Sequence, residues 1–132
     1  MMIYNQRARV LVVDDEESIC RALTIALTRA GYDVRAVTSG DVAAALVRAE
    51  HFDCLITDLR MPDMRGDVLF EFASSSQPHL RDRTVFTTGD ASEHAQELID
   101  ACHTVVLLKP FDLGELLGIV ANFTRRIHDA TA

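Results

Sequence analysis

Cysteine is scarce in this sequence and poorly placed for pairing. The three that occur, Cys20, Cys54 and Cys102, lie far apart and form no Cys-x-x-Cys pair. That argues against a disulfide framework and fits reduced thiols in a cytosolic protein. Positive charge is also in deficit, with 13 Lys and Arg against 20 Asp and Glu and a net charge of −7. A nucleic-acid footprint needs a basic face, so direct nucleic-acid binding is not expected. No stretch approaches the ~20 apolar residues of a membrane span. Arg7 and Arg9 precede only a short apolar run before DDEE, so no signal peptide is expected and the location is read as cytoplasmic. There is no internal repeat and no low-complexity segment.

What remains is an ordinary globular composition, 48% hydrophobic and 25% charged. The 132 residues fit one domain, 1–132, with a core at about 9–127 that needs no disulfide or structural metal. The chain alternates between two periods. Strands are predicted at 9–13, 33–37, 53–57, 83–87 and 104–108, and helices at 17–30, 39–49, 67–73, 92–101 and 113–127. Ile19, Leu23, Ala26 and Leu27 share one face of the first helix, and Gly31 sits where a C-terminal cap belongs. Ser39 is placed to cap the second helix, with Val42, Ala45, Leu46 and Ala49 pointing inward. The segment from Ser74 to Pro78 reads as the most linker-like part of the chain. Asp112 caps the last helix, with Glu115 completing a capping box and Leu113, Leu116, Leu117 and Val120 on the core side.

Five strands, each followed by a helix, imply a doubly wound α/β fold with a five-stranded parallel sheet. Four polar signals follow its apolar runs: Asp14–Asp15 after VLVV, Asp58 after CLIT, Thr88 after TVFT, and Lys109 after TVVLL. Ligands of such sheets bind beyond the carboxyl ends of the strands, where strand order reverses. In the order 2-1-3-4-5 that point lies between strands one and three, so Asp14, Asp15 and Asp58 would stand side by side. Thr88 and Lys109 would follow on the next two strands. Three carboxylates facing one ammonium leave two negative charges uncompensated, which either raises a pKa or recruits a cation. Mg²⁺ suits an all-oxygen set. Singly, each signal has a simpler reading as a dipole complement, a turn or a solvated charge. Five strand ends with acidic, hydroxylic and basic members in this order argue for a common site.

The runs VLVVDDE, CLITDLRMPDMRG, VFTTGD and LLKPFD resemble, in order and spacing, the receiver domain of two-component response regulators. The resemblance runs from Arg9 to about Arg126 and implies a flavodoxin-like (βα)5, CheY-like fold. It implies that Asp58 is the phosphoacceptor. Asp15 would bind Mg²⁺ directly and Asp14 mostly through water, with Asp58 and the backbone carbonyl of Arg60 as further ligands. Thr88 and Lys109 would each bond a phosphoryl oxygen, and the peptide before Pro110 would be cis. The domain would assist its own aspartyl phosphorylation and hydrolysis without turning over an independent substrate, and so would not be an enzyme.

The resemblance further implies a sensor histidine kinase or phosphotransfer protein as phosphoryl donor. A downstream protein target or a second copy would use the face of the last two helices and strand five. The family often carries Tyr or Phe three residues before the lysine, but this chain has Val106, a degenerate switch position. Cys102 and His103 replace the usual Gly-Ala, and His103 is read as a surface residue. Arg60 and Asp90, two residues beyond Asp58 and Thr88, are expected to flank the site and modulate phosphoryl lifetime. Only His128–Ala132 follow the last predicted helix, which reads as a stand-alone regulator or part of a longer chain, and Met1–Met2 as a natural start. An aspartate-nucleophile phosphohydrolase would carry a second Asp where Arg60 stands. A phosphorylation-independent module would not need the complete acidic, Thr88 and Lys109 set.

Overall fold

The computed structural model describes residues 7–89, 96–97, 100 and 104–131, with side chains through residue 125. The strands are β1 (Arg9–Val13), β2 (Asp33–Val37), β3 (Cys54–Asp58), β4 (Thr84–Thr88) and β5 (Val105–Leu108). Three helices lie between them, α1 (Glu17–Arg29), α2 (Gly40–Ala49) and α3 (Gly66–Ser76), followed by a 3-10 helix, Pro78–Asp82. A C-terminal helix runs over Leu113–Thr131. The predicted helix at 92–101 falls mostly outside the described residues. All strand pairs are parallel and the order is β2-β1-β3-β4-β5.

Alternation along the strands supplies both faces of the sheet. Val10, Val12, Cys54 and Ile56 pack with Leu23, Leu27, Leu116 and Val120, on the side of α1 and the C-terminal helix. Leu11, Val13 and Leu55 pack with Ala43, Val47, Leu69 and Ala73, on the side of α2 and α3. β3 and β4 are buried at every position, as a central strand covered on both faces must be. β2 is at one edge and more exposed.

The caps follow local chemistry. Gly31 has φ +102°; its N–H donates to the Thr28 carbonyl and that of Tyr32 to Leu27, closing α1 with a left-handed residue. Ser39 Oγ accepts from Val42 N at 3.3 Å. Asp112 Oδ1 accepts from Gly114 N at 2.8 Å at the start of the C-terminal helix.

Four expectations are corrected. β3 and β4 each start and end one residue later than predicted, so Asp58 and Thr88 are the last residues of their strands. α2 buries Gly40, Ala43 and Val47, while Val42 is 49% exposed and Ala45 and Ala49 face solvent. Hydropathy favours Val42, but close approach selects small residues: a Cβ on Gly40 would stand 2.7 Å from Met64 Cβ. On the C-terminal helix Leu116 and Val120 are fully buried, whereas Leu113 is exposed in the first turn, beyond the reach of the sheet.

The segment predicted as a linker is structured. α3 continues through Ser76, and Ser74 is buried with its hydroxyl bonded to the Glu71 carbonyl. Gln77 then ties α3 to the end of α2. Its Nε2 donates to the carbonyls of Val47 and Glu50 at 2.8 Å, and its Oε1 accepts from Phe52 N at 3.0 Å.

Candidate phosphoryl and metal site

The carboxyl ends of β1 and β3 lie side by side where strand order reverses, and Lys109, after β5, reaches across to them. Val13 is in register with Thr57, so Asp14 leaves β1 level with Asp58 at the end of β3. Asp14, Asp15 and Asp58 each offer a carboxylate oxygen within 4.8 Å of the others'. Asp14 and Asp58 are buried and Asp15 is exposed. Lys109 enters from the residue after β5. Its Nζ lies 2.9 Å from Asp14 Oδ2, 3.2 Å from Asp58 Oδ2 and 3.6 Å from Glu16 Oε1.

Local turns aim these groups. Asp14 Oδ1 accepts from Glu16 N at 2.9 Å, an Asx turn that opens α1 and leaves Oδ2 facing the pocket. The close partner of the buried Asp14 Oδ2 is the Lys109 ammonium at 2.9 Å. Asp58 Oδ1 accepts from Arg60 N at 3.4 Å, and Oδ2 accepts from Lys109 at 3.2 Å. Gly66 backs the site so closely that a Cβ there would lie 2.3 Å from the Asp58 carbonyl oxygen.

Thr88 is buried at the end of β4, beside β3, where Asp58 stands opposite Thr87. The Thr88 carbonyl accepts from Lys109 N at 2.7 Å, which ties the hydroxyl residue and the lysine through the backbone. The Lys109–Pro110 peptide is cis. Arg60 is exposed beside Asp58. Asp90, Cys102 and His103 lie outside the described residues.

Charge and burial compete here. Burial pushes the Asp58 carboxyl up; Lys109 opposes that shift and the Asp14 charge adds to it. Burial works to lower the Lys109 pKa, but the carboxylates of Asp14 and Asp58 outweigh it and the net direction is up. The pocket therefore holds an ammonium firmly and still carries surplus negative charge. An all-oxygen set of three clustered carboxylates, with one ammonium to offset their charge, fits a hard divalent cation. Cys20 is no competing ligand: its thiol donates to the Asp14 carbonyl at 3.2 Å, and burial raises its pKa.

Some neighbours were not singled out by sequence reasoning. Glu16 is a further carboxylate near Lys109, and the DDEE run was the only signal for it. Val106 packs against Leu59, Phe70 and Phe86, and the two phenylalanine rings meet edge-on with centroids 5.7 Å apart. Phe86 is in register with Val106, so aromatic bulk sits on β4 rather than on β5. That pairing requires the sheet and could not be read from the sequence.

A lysine-closed acidic pocket at the switch point of a 2-1-3-4-5 sheet defines the class, a flavodoxin-like signalling domain. Residues 10–121 match the family described as response regulator receiver domain. The response regulator receiver protein CpdR of Brucella abortus is 36% identical over 111 residues, covering 83% of this chain and 91% of CpdR. Response regulator protein FleR of Pseudomonas aeruginosa is 32% identical over 115 residues, 87% of this chain and 24% of FleR. The chain thus spans about a quarter of the length of FleR and of PilR, which it matches similarly. Among solved structures, a CheY-like receiver domain protein from Methanospirillum hungatei superposes with a TM-score of 0.84 at 25% identity. It covers 94% of this chain and 99% of its own. Chemotaxis protein CheY4 of Vibrio cholerae gives a TM-score of 0.80 at 28% identity, over 89% of this chain and 99% of its own.

The chain belongs to the response regulator receiver domain family. Receiver domains of two-component systems accept a phosphoryl group, bind Mg²⁺ at an acidic pocket and are served by histidine kinases. An acidic cluster of Asp14, Asp15 and Asp58 is present in this chain. Among the described residues no helix is long and apolar enough to cross a membrane.

Proposed function

We propose that Asp58 is the phosphoacceptor of this receiver and that Asp14, Asp15 and Lys109 make it one. A carboxylate oxygen of Asp58 attacks the phosphorus of a phosphohistidine in line. The new P–O bond forms as the P–N bond breaks, and the imidazole leaves with a proton. Water later attacks the same phosphorus, releasing phosphate and restoring the carboxylate. Phosphoryl transfer of this kind depends on positioning and charge neutralisation more than on a strong nucleophile.

Lys109 neutralises one phosphoryl oxygen, and Thr88, fixed to Lys109 through its carbonyl, bonds another. Asp15, Asp58 and the backbone carbonyl of Arg60 would hold Mg²⁺ directly and Asp14 mostly through water, and the ion would supply the remaining positive charge. The domain modifies itself and turns over no independent substrate. Arg60, exposed beside Asp58, and Asp90, two residues beyond Thr88 in the sequence, act on hydrolytic water. Replacing both with neutral residues is expected to change the dephosphorylation rate, and an unchanged rate removes that role.

Two surfaces suit the partners. A groove of about 440 Å³ lies beside the site between α1 and the loop after β5, lined by Ile19, Ala22, Leu23, Pro110 and Phe111 with Glu16 and Lys109 at its edge. Its apolar lining suits a nonpolar surface of a histidine kinase or phosphotransfer protein. The sheet edge at β5, where Val105 is 38% and Leu108 51% exposed, suits a target protein or a second copy.

One observation carries this reading: a single lysine lies 2.9 Å from Asp14 and 3.2 Å from Asp58, whose carboxylates cluster with that of Asp15. The test is beryllofluoride binding or acetyl phosphate labelling. Both should require Mg²⁺ and vanish in Asp58→Asn; labelling that survives the substitution would refute the assignment.

A further inference from the structure

Asp63 takes no part in the chemistry above, yet its carboxylate is unusually well supplied with donors. Oδ2 accepts from Ser39 Oγ and from Asp41 N, each at 2.9 Å, and Oδ1 accepts from Gly40 N at 3.3 Å. Ser39 is the N-cap of α2, so the two amides belong to the helix start that lacks intrahelical acceptors. The Asp41 amide does most to hold the Asp63 carboxyl below the usual carboxylate range; Ser39 and Gly40 act in the same direction. The neighbouring residue seals the contact, since a Cβ on Gly40 would stand 2.7 Å from Met64 Cβ.

Asp63 and Met64 belong to the loop that leaves Asp58 and returns at Gly66. The base of that loop is pinned by Leu59 N to the Thr87 carbonyl at 2.9 Å and by Gly66 N to the Leu59 carbonyl at 2.8 Å. Arg60 lies between this base and the tip, and its amide already reaches Asp58 Oδ1. With both ends fixed, Arg60 has little freedom. Without the tip anchor, the loop would have to be ordered when metal binds, which weakens binding.

We propose that Asp63 is a positioning residue for the metal-binding half of the site: by anchoring the loop tip on the N-terminus of α2, it fixes the Arg60 carbonyl relative to Asp58. The inference rests on the reading that Arg60 and Asp58 share Mg²⁺. It also ties the phosphorylation loop mechanically to α2, so a shift at Asp58 reaches that helix.

The experiment is Mg²⁺ titration calorimetry on the wild-type chain, Asp63→Ala and Asp63→Asn, with urea unfolding and amide exchange measured on each. Supporting residues outside the coordination shell typically change metal affinity 10- to 100-fold, and Asp63→Ala is expected to weaken Mg²⁺ binding by on the order of 10-fold. Asp63→Asn keeps one acceptor oxygen and should fall between it and wild type. Exchange at the Arg60 and Met61 amides should quicken in step. Unchanged Mg²⁺ affinity in both variants, with only the urea midpoint lowered, would overturn the inference and leave Asp63 a helix cap. If Asp63→Ala does not fold, Asp63→Asn and Ser39→Ala decide it in the same way. A wild-type chain that binds no Mg²⁺ would instead overturn the site assignment, and this inference with it.

Discussion

Lys109 is outnumbered. Its ammonium faces Asp14, Asp58 and, at 3.6 Å, Glu16, with Asp15 in the same cluster. Such a residue neutralises only part of the local charge, which is why the pocket favours an incoming cation. Its effect on transition-state charge should be large. Preorganised donors of this kind contribute on the order of 10²-fold or more to rate, so Lys109→Ala should slow phosphoryl acceptance by about that factor while Asp58 remains in place. Stopped-flow labelling with a small phosphodonor measures it.

Cys54 behaves in the opposite way. Burial pushes its thiol from 9.0 up to about 12, with the Asp53 charge adding to the shift. The folded protein therefore keeps this proton where the unfolded chain loses it, between pH 9 and about 12. Stability from this group is complete below pH 9 and declines as pH rises through that window, at roughly 1.4 kcal/mol per pH unit. Urea midpoints should fall across the window, and Cys54→Ala should flatten the fall. An equal slope in the variant would reject the assignment.

At the scale of elements, α3 approaches the end of β3 very closely. Gly66 starts α3 against backbone, since an added Cβ would lie 2.3 Å from the Asp58 carbonyl oxygen and 2.9 Å from Leu59 Cα. Backbone cannot rotate away as a side chain does. Gly66→Ala should therefore cost about 1–3 kcal/mol, the usual range for overpacking, and should also impair phosphorylation by displacing Asp58. Urea denaturation and acetyl phosphate labelling on the same variant check both effects. A variant with wild-type stability and labelling would show that the loop yields freely.

The helices also show where local reading stops. The first helix was legible because Leu23 and Leu27 are both strongly apolar and buried. α2 was not, because its contact with Met64 and α3 selects Gly40 and Ala43 for size. The segment at Ser74–Gln77 has the composition of a linker, but the Gln77 amide satisfies three backbone groups from α2 and the chain after it. No local pattern announces partners 25 to 30 residues away.

For the whole molecule, the sheet gathers carboxylates that are distant in sequence into one pocket of a chain that already carries −7. Any cation bound only by the folded state must then raise its stability. At 100 times the dissociation constant the gain is about 2.7 kcal/mol. Mg²⁺ should therefore raise the melting temperature by several degrees, at roughly 3–6 °C per kcal/mol for a chain of this length. Asp14→Asn should lose most of the increase. Calorimetry with and without EDTA measures the difference, and an equal rise in the variant would place the ion elsewhere.

The readout route also belongs to this scale. Val106 contributes little bulk, while Phe70 and Phe86 fill the space beside it. A ring swinging on β5 is not available to this chain. The loop from Asp58 to Gly66 is held to the start of α2 through Asp63.

The sequence by itself determined the order of the described strands and helices, the caps at Gly31, Ser39 and Asp112, and the strand ends to within a residue, because these depend on spacing and on each residue's own backbone preferences. Only the tertiary structure decided which face α2 buries, that Ser74–Gln77 is packed, that Glu16 joins Lys109, and that Asp63 anchors the loop beside Asp58. Those outcomes depend on how closely distant segments approach and on where unpaired amides find an acceptor. Both are properties of the assembled sheet and its layers.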